Sequence, residues 1–243
     1  MIINKQTFQQ LLQVISKEFD VFIPYQDKNE EHFSLVPYST SKEPVISFYR
    51  PTDPLKILFY PPRDQVLPFK PTDKKRIIFG VKNCDLSALT ILDRALLEDK
   101  HFTDLNYKKW RQSTYIISAD CSHVLPTCHC DLVGLKPYPQ SNYDLNMSEV
   151  AMGYYFEAKT SKGKEILSLL KKNVSSTEEG DEEIKKEIKQ NRERVMDMLT
   201  KQNLPYRKYE FNNSKGSGPA GELWSKYSGR CVECGGCTNI CPT

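Results

Sequence analysis

Apolar residues recur at helical spacing near the start of the chain, where Phe8, Leu11, Leu12, Ile15 and Phe19 share one face and Asn4 or Thr7 is placed to cap it. Val21-Phe22-Ile23 running into Pro24 predicts a short strand. Polar residues and prolines dominate 25–44, which reads as loop or edge structure. The runs 45–50 and 55–60 are β-branched and aromatic between prolines, so both are strand candidates, and 76–81 is a third and the most apolar. Cys84-Asp85 follows it, and Leu86, Leu89, Leu92 and Leu96 then fall at helical spacing, predicting a strand, a loop and a helix capped by Asp85. Residues 115–118 form a fourth candidate strand that leads into Asp120-Cys121, and 153–157 a further one.

Beyond Gly163 the periodicity is helical. Ile166, Leu167 and Leu170 mark a short helix, and Ile184, Ile188, Val195, Met198 and Leu199 form the stripe of a longer one whose other face is charged. Glu178, Glu179 and Asp181 near its start suit the helix dipole. The pattern predicts an α+β chain: an α/β sheet domain over 1–162, a helical connector over 163–211, and a linker with part of a ferredoxin-like segment over 212–243.

Charge adds little to this picture. Lys and Arg total 34 against 31 for Asp and Glu, so no basic face points to nucleic acid. No apolar run approaches the roughly eighteen residues needed to span a bilayer.

The cysteines change it. Eight are present, in two groups of four. The second group, Cys231, Cys234, Cys237 and Cys241 before Pro242, has the spacing C-x2-C-x2-C-x3-C-P, the iron–sulfur run of bacterial ferredoxins. Cysteine reaches only one methylene from the backbone, so its sulfurs converge on a 4Fe-4S cube only if the chain wraps tightly, and Gly235-Gly236 permits that. Zinc ribbons instead separate two C-x2-C knuckles by a long spacer. Such ligands, and an N-terminus without the zones of a secretory signal, predict a reducing cytoplasm in which cysteines serve metal or redox chemistry.

The first group is Cys84, Cys121, Cys128 and Cys130. Cys84 and Cys121 both lie just past predicted strands, where open sheets place their sites, and Cys128-His129-Cys130 is a tight pair in a loop stiffened by Pro126. Four thiolates converging at one sheet edge would hold a further 4Fe-4S cluster; zinc, and inert or redox-switching thiols, are the alternatives. His123 and His129 read as loop residues, since the cysteines already fill four positions. Residues 216–221 match G-x-G-x-x-G, but no strand precedes them and no acidic residue follows at the needed distance, so they read as linker. No Ser-His-Asp arrangement, P-loop or carboxylate pair suggests independent catalysis.

The chain resembles the iron–sulfur subunit of anaerobic sulfite reductase and its relative, the β subunit of sulfhydrogenases. The resemblance runs over nearly the whole chain, through the N-terminal helix entering 21–24, the Cys84-Asp85-Leu-Ser-Ala-Leu segment, Cys121-x6-Cys128-x-Cys130, Tyr143-Asp144-Leu145, and Leu223-Trp224 ahead of Cys231. It implies an electron relay between a flavin subunit, linked to a nicotinamide nucleotide or ferredoxin, and a catalytic subunit such as sulfite reductase or a NiFe sulfhydrogenase. By position it makes Cys231, Cys234 and Cys237 ligands of one cube and Cys241 of its neighbour. Family members continue to a second cluster motif, so a sequence stopping at Thr243 is expected to be truncated or a fragment. Two other classes remain open: an enzyme binding flavin or deazaflavin in the N-terminal domain, and a zinc-stabilised assembly module.

Overall fold

A computed structural model describes residues 1–26, 33–61, 74–99, 101–174, 182–207, 225–232, 237 and 241. The chain folds as an α+β protein around a mixed seven-stranded sheet, β1 (Ile2–Ile3), β2 (Asp20–Gln26), β3 (Phe33–Pro37), β4 (Arg76–Val81), β5 (Thr114–Ala119), β6 (Leu145–Val150) and β7 (Gly153–Ala158), in the order β1-β7-β6-β5-β4-β2-β3. The central strands β2, β4, β5 and β6 run parallel, and antiparallel strands close both edges.

Alternation along the strands divides the core in two. Ile77, Phe79, Ile117, Leu145 and Met147 face a layer built by α1 (Lys5–Ile15) and α4 (Ser161–Lys172), whose Phe8, Leu11, Leu12, Ile166 and Leu170 are buried there. Ile78, Val81 and Ile116 face α2 (Asn83–Leu96) and α3 (Leu105–Ser113), which supply Leu86, Leu89, Tyr107 and Trp110. The predicted stripe of the first helix is the one buried, and Asn4 Oδ1 accepts from the Thr7 amide as its cap. The long predicted helix is α5 (Glu182–Asn203), with Ile188, Val195 and Leu199 buried. Residues 175–181, with Glu178, Glu179 and Asp181, and the 208–224 stretch that carries the G-x-G-x-x-G match, lie outside the described residues.

Two strand expectations fail. Residues 45–50 form a wrapped loop, because their backbone is spent on other partners: the Ser47 and Phe48 carbonyls both accept from the Ser122 amide at 2.7 and 3.1 Å, and the Ile46 carbonyl takes the Lys82 side chain. Residues 55–58 form a 3-10 helix entered from Pro54, since Leu55, Leu58 and Phe59 repeat at i, i+3, i+4 and pack on α2. The helix after Cys84 begins earlier than expected, with Lys82 as its N-cap and Asp85 in its first turn. Among the described residues no helix is long and apolar enough to cross a membrane.

Candidate functional site

β4 and β5 are neighbouring parallel strands that, past a one-residue register shift between Phe79 and Val81, end with Val81 opposite Ser118, so whatever follows each of them emerges at the same edge. Cys84 follows β4 in the first turn of α2, and Cys121 follows β5. The loop after Cys121 returns Cys128 and Cys130 to that edge, where the Cys84 and Cys130 thiols hydrogen-bond each other and act electrostatically on Cys121. All four cysteines of the first group, Cys84, Cys121, Cys128 and Cys130, thus lie at the end of the sheet where β4 and β5 finish. None of these residues is fully exposed, and none is in a disulfide.

Backbone and side-chain hydrogen bonds from several segments hold the loop. The Cys121 amide donates to the Pro137 carbonyl at 2.9 Å, and Asn83 Nδ2, beside Cys84, donates to Lys136 O at 3.0 Å and Gln140 Oε1 at 2.8 Å. The Leu125 amide donates to Cys128 Sγ at 3.3 Å. From the end of α5, Gln202 Nε2 donates to Leu125 O at 2.8 Å, while Asn203 Nδ2 donates to Cys128 O at 3.0 Å and to Asp131. Arg192, earlier on α5, grips Asp120 with Nε at 2.8 Å and Nη2 at 3.1 Å, and Asp120 also accepts from Asn146 and Ser148 on the polar face of β6. A groove of about 390 Å³ opens beside Cys121, walled by Asp120, Ser122, Ser148, Arg192 and Arg194.

The electrostatics are those of enclosed thiols next to cations. The hydrogen bond donated by Cys84 pulls the Cys130 thiol down to about 7, while donating it raises Cys84, with burial adding to the rise. Burial pushes Cys121 up to about 12 against the pull of Lys82, and burial also raises Cys128 against the Leu125 amide and Arg50. Asp85 is buried and pushed up to about 6, with Arg50 opposing; the Arg50–Asp85 separation of 3.6 Å suits attraction but is long for a hydrogen bond, and Asp85 Oδ1 has no hydrogen-bond partner. Among the described residues no three His, Cys, Asp or Glu side chains gather as ligands of a single ion. The histidines serve the loop: His123 stacks on Phe48 at 4.1 Å between ring centroids, and His129 Nδ1 lies 3.1 Å from Thr127 O.

The second cysteine group is only partly described. Cys231, Cys237 and Cys241 are exposed, with the Cys241 amide donating to Cys237 O at 3.0 Å, whereas Cys234 and Pro242 lie outside the described residues.

Several residues that shape the first site went unnoticed in the sequence. Lys82, Arg50, Asn83, Gln202 and Arg192 carry no motif. Asn203 did leave a signal, since it continues the stripe Val195, Leu199 by a further step of four, and a polar residue on an apolar stripe needs a partner.

No family model matches the chain. A similarity does extend along it: the sulfhydrogenase 2 subunit beta of Pyrococcus furiosus is 23% identical over 260 aligned positions, which cover 99% of this chain and 71% of that protein. That near-complete alignment makes the chain similar, at a distant level, to a sulfhydrogenase β subunit.

Proposed function

We propose that the chain is an iron–sulfur electron-transfer subunit of an oxidoreductase complex, carrying electrons from a flavin-containing reductase subunit to a catalytic subunit that reduces sulfite, as in anaerobic sulfite reductase, or handles hydrogen. The observation that carries this reading is the position of Cys84 and Cys121 just past the neighbouring parallel strands β4 and β5, with Cys84 hydrogen-bonded to Cys130. The relative's name, a subunit of a sulfhydrogenase, supports partner subunits of that kind.

The donor set fits a cluster better than a single ion. It is all thiol, soft enough for iron–sulfur chemistry, and the amide donor to Cys128 and the cations Lys82 and Arg50 favour thiolates there. A cubane spreads its four ligands over a body several atoms wide, so its sulfurs need not crowd as they do about one ion. Cys231, Cys234, Cys237 and Cys241 would be ferredoxin-type cluster ligands, and a 4Fe-4S cluster would supply one-electron storage at each group. The division at 162 and 211, and a cytoplasmic setting, belong to the same reading.

The test is iron, acid-labile sulfide and zinc per chain in anaerobically purified protein, with electron paramagnetic resonance after dithionite reduction. About eight irons, falling by half in Cys84→Ser and in Cys234→Ser separately, is the expected result. Zinc without iron would replace the relay by a structural site, and released flavin after denaturation would make the chain a flavoenzyme.

A further inference from the structure

Lys82 is fully enclosed, at 0% exposure, between the loop that carries Ile46 and the start of the loop after β5. Its Nζ donates to Ile46 O at 2.7 Å and to Asp120 O at 3.1 Å, both neutral peptide oxygens. Among the described residues no carboxylate lies within ion-pair distance of it; the Asp120 carboxylate is turned to Arg192, Asn146 and Ser148. Burial pushes the Lys82 ammonium below its ordinary value, and Cys121, then the Asp120 side chain, then Cys84 pull it back up. A buried ammonium satisfied only by neutral carbonyls is expensive, and removing such a charge is often stabilising. The side chain is not needed to begin the helix either, because the Lys82 backbone carbonyl accepts from the Asp85 and Leu86 amides and its side chain makes no cap bond.

We propose that Lys82 is the built-in countercharge of the thiolate site at the ends of β4 and β5: its ammonium offsets the negative charge of a cluster held by Cys84, Cys121, Cys128 and Cys130, and keeps that cluster easier to reduce than four thiolates alone would leave it. This rests on the cluster reading of the quartet given above. The electron comes from the partner reductant in the complex, or from dithionite in the assay. It adds one negative charge to a site in low dielectric, so a fixed positive charge close by favours the reduced form. Lys82 is thus a residue that tunes the site and touches no substrate.

The experiment compares the anaerobically purified full chain with Lys82→Gln and Lys82→Met, by potentiometric titration read by electron paramagnetic resonance. The expected result is a midpoint shifted to more negative potential in both variants, at wild-type iron content, for the signal that Cys84→Ser abolishes, with the other signal unmoved. Urea unfolding of chelator-stripped protein gives an independent readout. Stripped Lys82→Met is expected to unfold at higher urea than stripped wild type, because the uncompensated charge is gone, while the loaded variant loses iron to chelator severalfold faster than loaded wild type. An unmoved midpoint at full iron content overturns the proposal, as does Lys82→Met weakening stripped and loaded protein alike, which would make Lys82 a strut between Ile46 and Asp120. If Cys84→Ser leaves the iron count of the wild type unchanged, the cluster reading of the quartet fails first and this inference falls with it.

Discussion

Asn203→Ala tests whether the end of α5 holds the cysteine loop. Asn203 is 2% exposed and spans 75 residues of sequence to donate to Cys128 O at 3.0 Å, and it also donates to the Asp131 carboxylate. One bond is neutral, about 1 kcal/mol, and one is charge-assisted, about 1.5–3 kcal/mol. Neither acceptor is orphaned by the change, since Gln202 still reaches Cys128 O at 3.2 Å and Arg207 still reaches Asp131 at 2.8 Å. The net loss is therefore set at about 2 kcal/mol, or about thirtyfold in the local opening equilibrium. Amide hydrogen exchange reads it directly, at the Cys128, Leu132 and Leu135 amides, whose acceptors are Leu125 O, His129 O and Cys130 O. Those three should exchange about thirtyfold faster while Ile78 and Ile117 in the sheet keep their protection. Unchanged exchange in the loop, or equal acceleration in the sheet, would refute the clamp.

Two further outcomes are expected. Gly163→Ala should lose stability, although alanine ordinarily gains about 1 kcal/mol over glycine in a helix: the added Cβ would meet the Asp144 backbone carbonyl oxygen at 1.8 Å. A melting temperature lower by about 4–8 °C, from a loss of about 2 kcal/mol, is the expected sign, and a rise would show that α4 can shift freely on the sheet. In chelator-stripped protein Asp85 holds its proton up to about 6 when folded, against an ordinary 3.8. The folded state thus binds more protons between those values. That stability is present below about pH 4 and lost as pH rises through about 6, on the order of 3 kcal/mol, and Asp85→Asn should remove the fall from a urea-midpoint profile. Parallel profiles for variant and wild type would exclude Asp85 as its source.

Much of this protein was legible in its sequence, and for local reasons. The stripe at Phe8, Leu11, Leu12 and Ile15, the runs at 76–81 and 115–118, and the long stripe of α5 each declare themselves within one element, because periodicity is a property of neighbours along the chain. Placing Cys84 and Cys121 just past two strands was enough to suggest a shared edge, since parallel strands bring such positions together. β6 was missed: Asn146 and Ser148 alternate with Leu145 and Met147, and these buried polar residues look unlike a strand until Asp120 and Arg192 are present to satisfy them. The runs at 45–50 and 55–60 were misread because composition cannot tell a strand from a loop whose carbonyls serve distant partners.

What the sequence by itself determined is which residues carry sulfur, and which helices and central strands support them. Only the tertiary structure decided what surrounds the sulfurs. It seals Lys82 at the quartet on two backbone carbonyls, sets Arg50 against Asp85, and brings the end of α5 back onto the loop of Cys128. Burial and charge at that edge are sums over segments far apart in the chain, and no short window of sequence contains them.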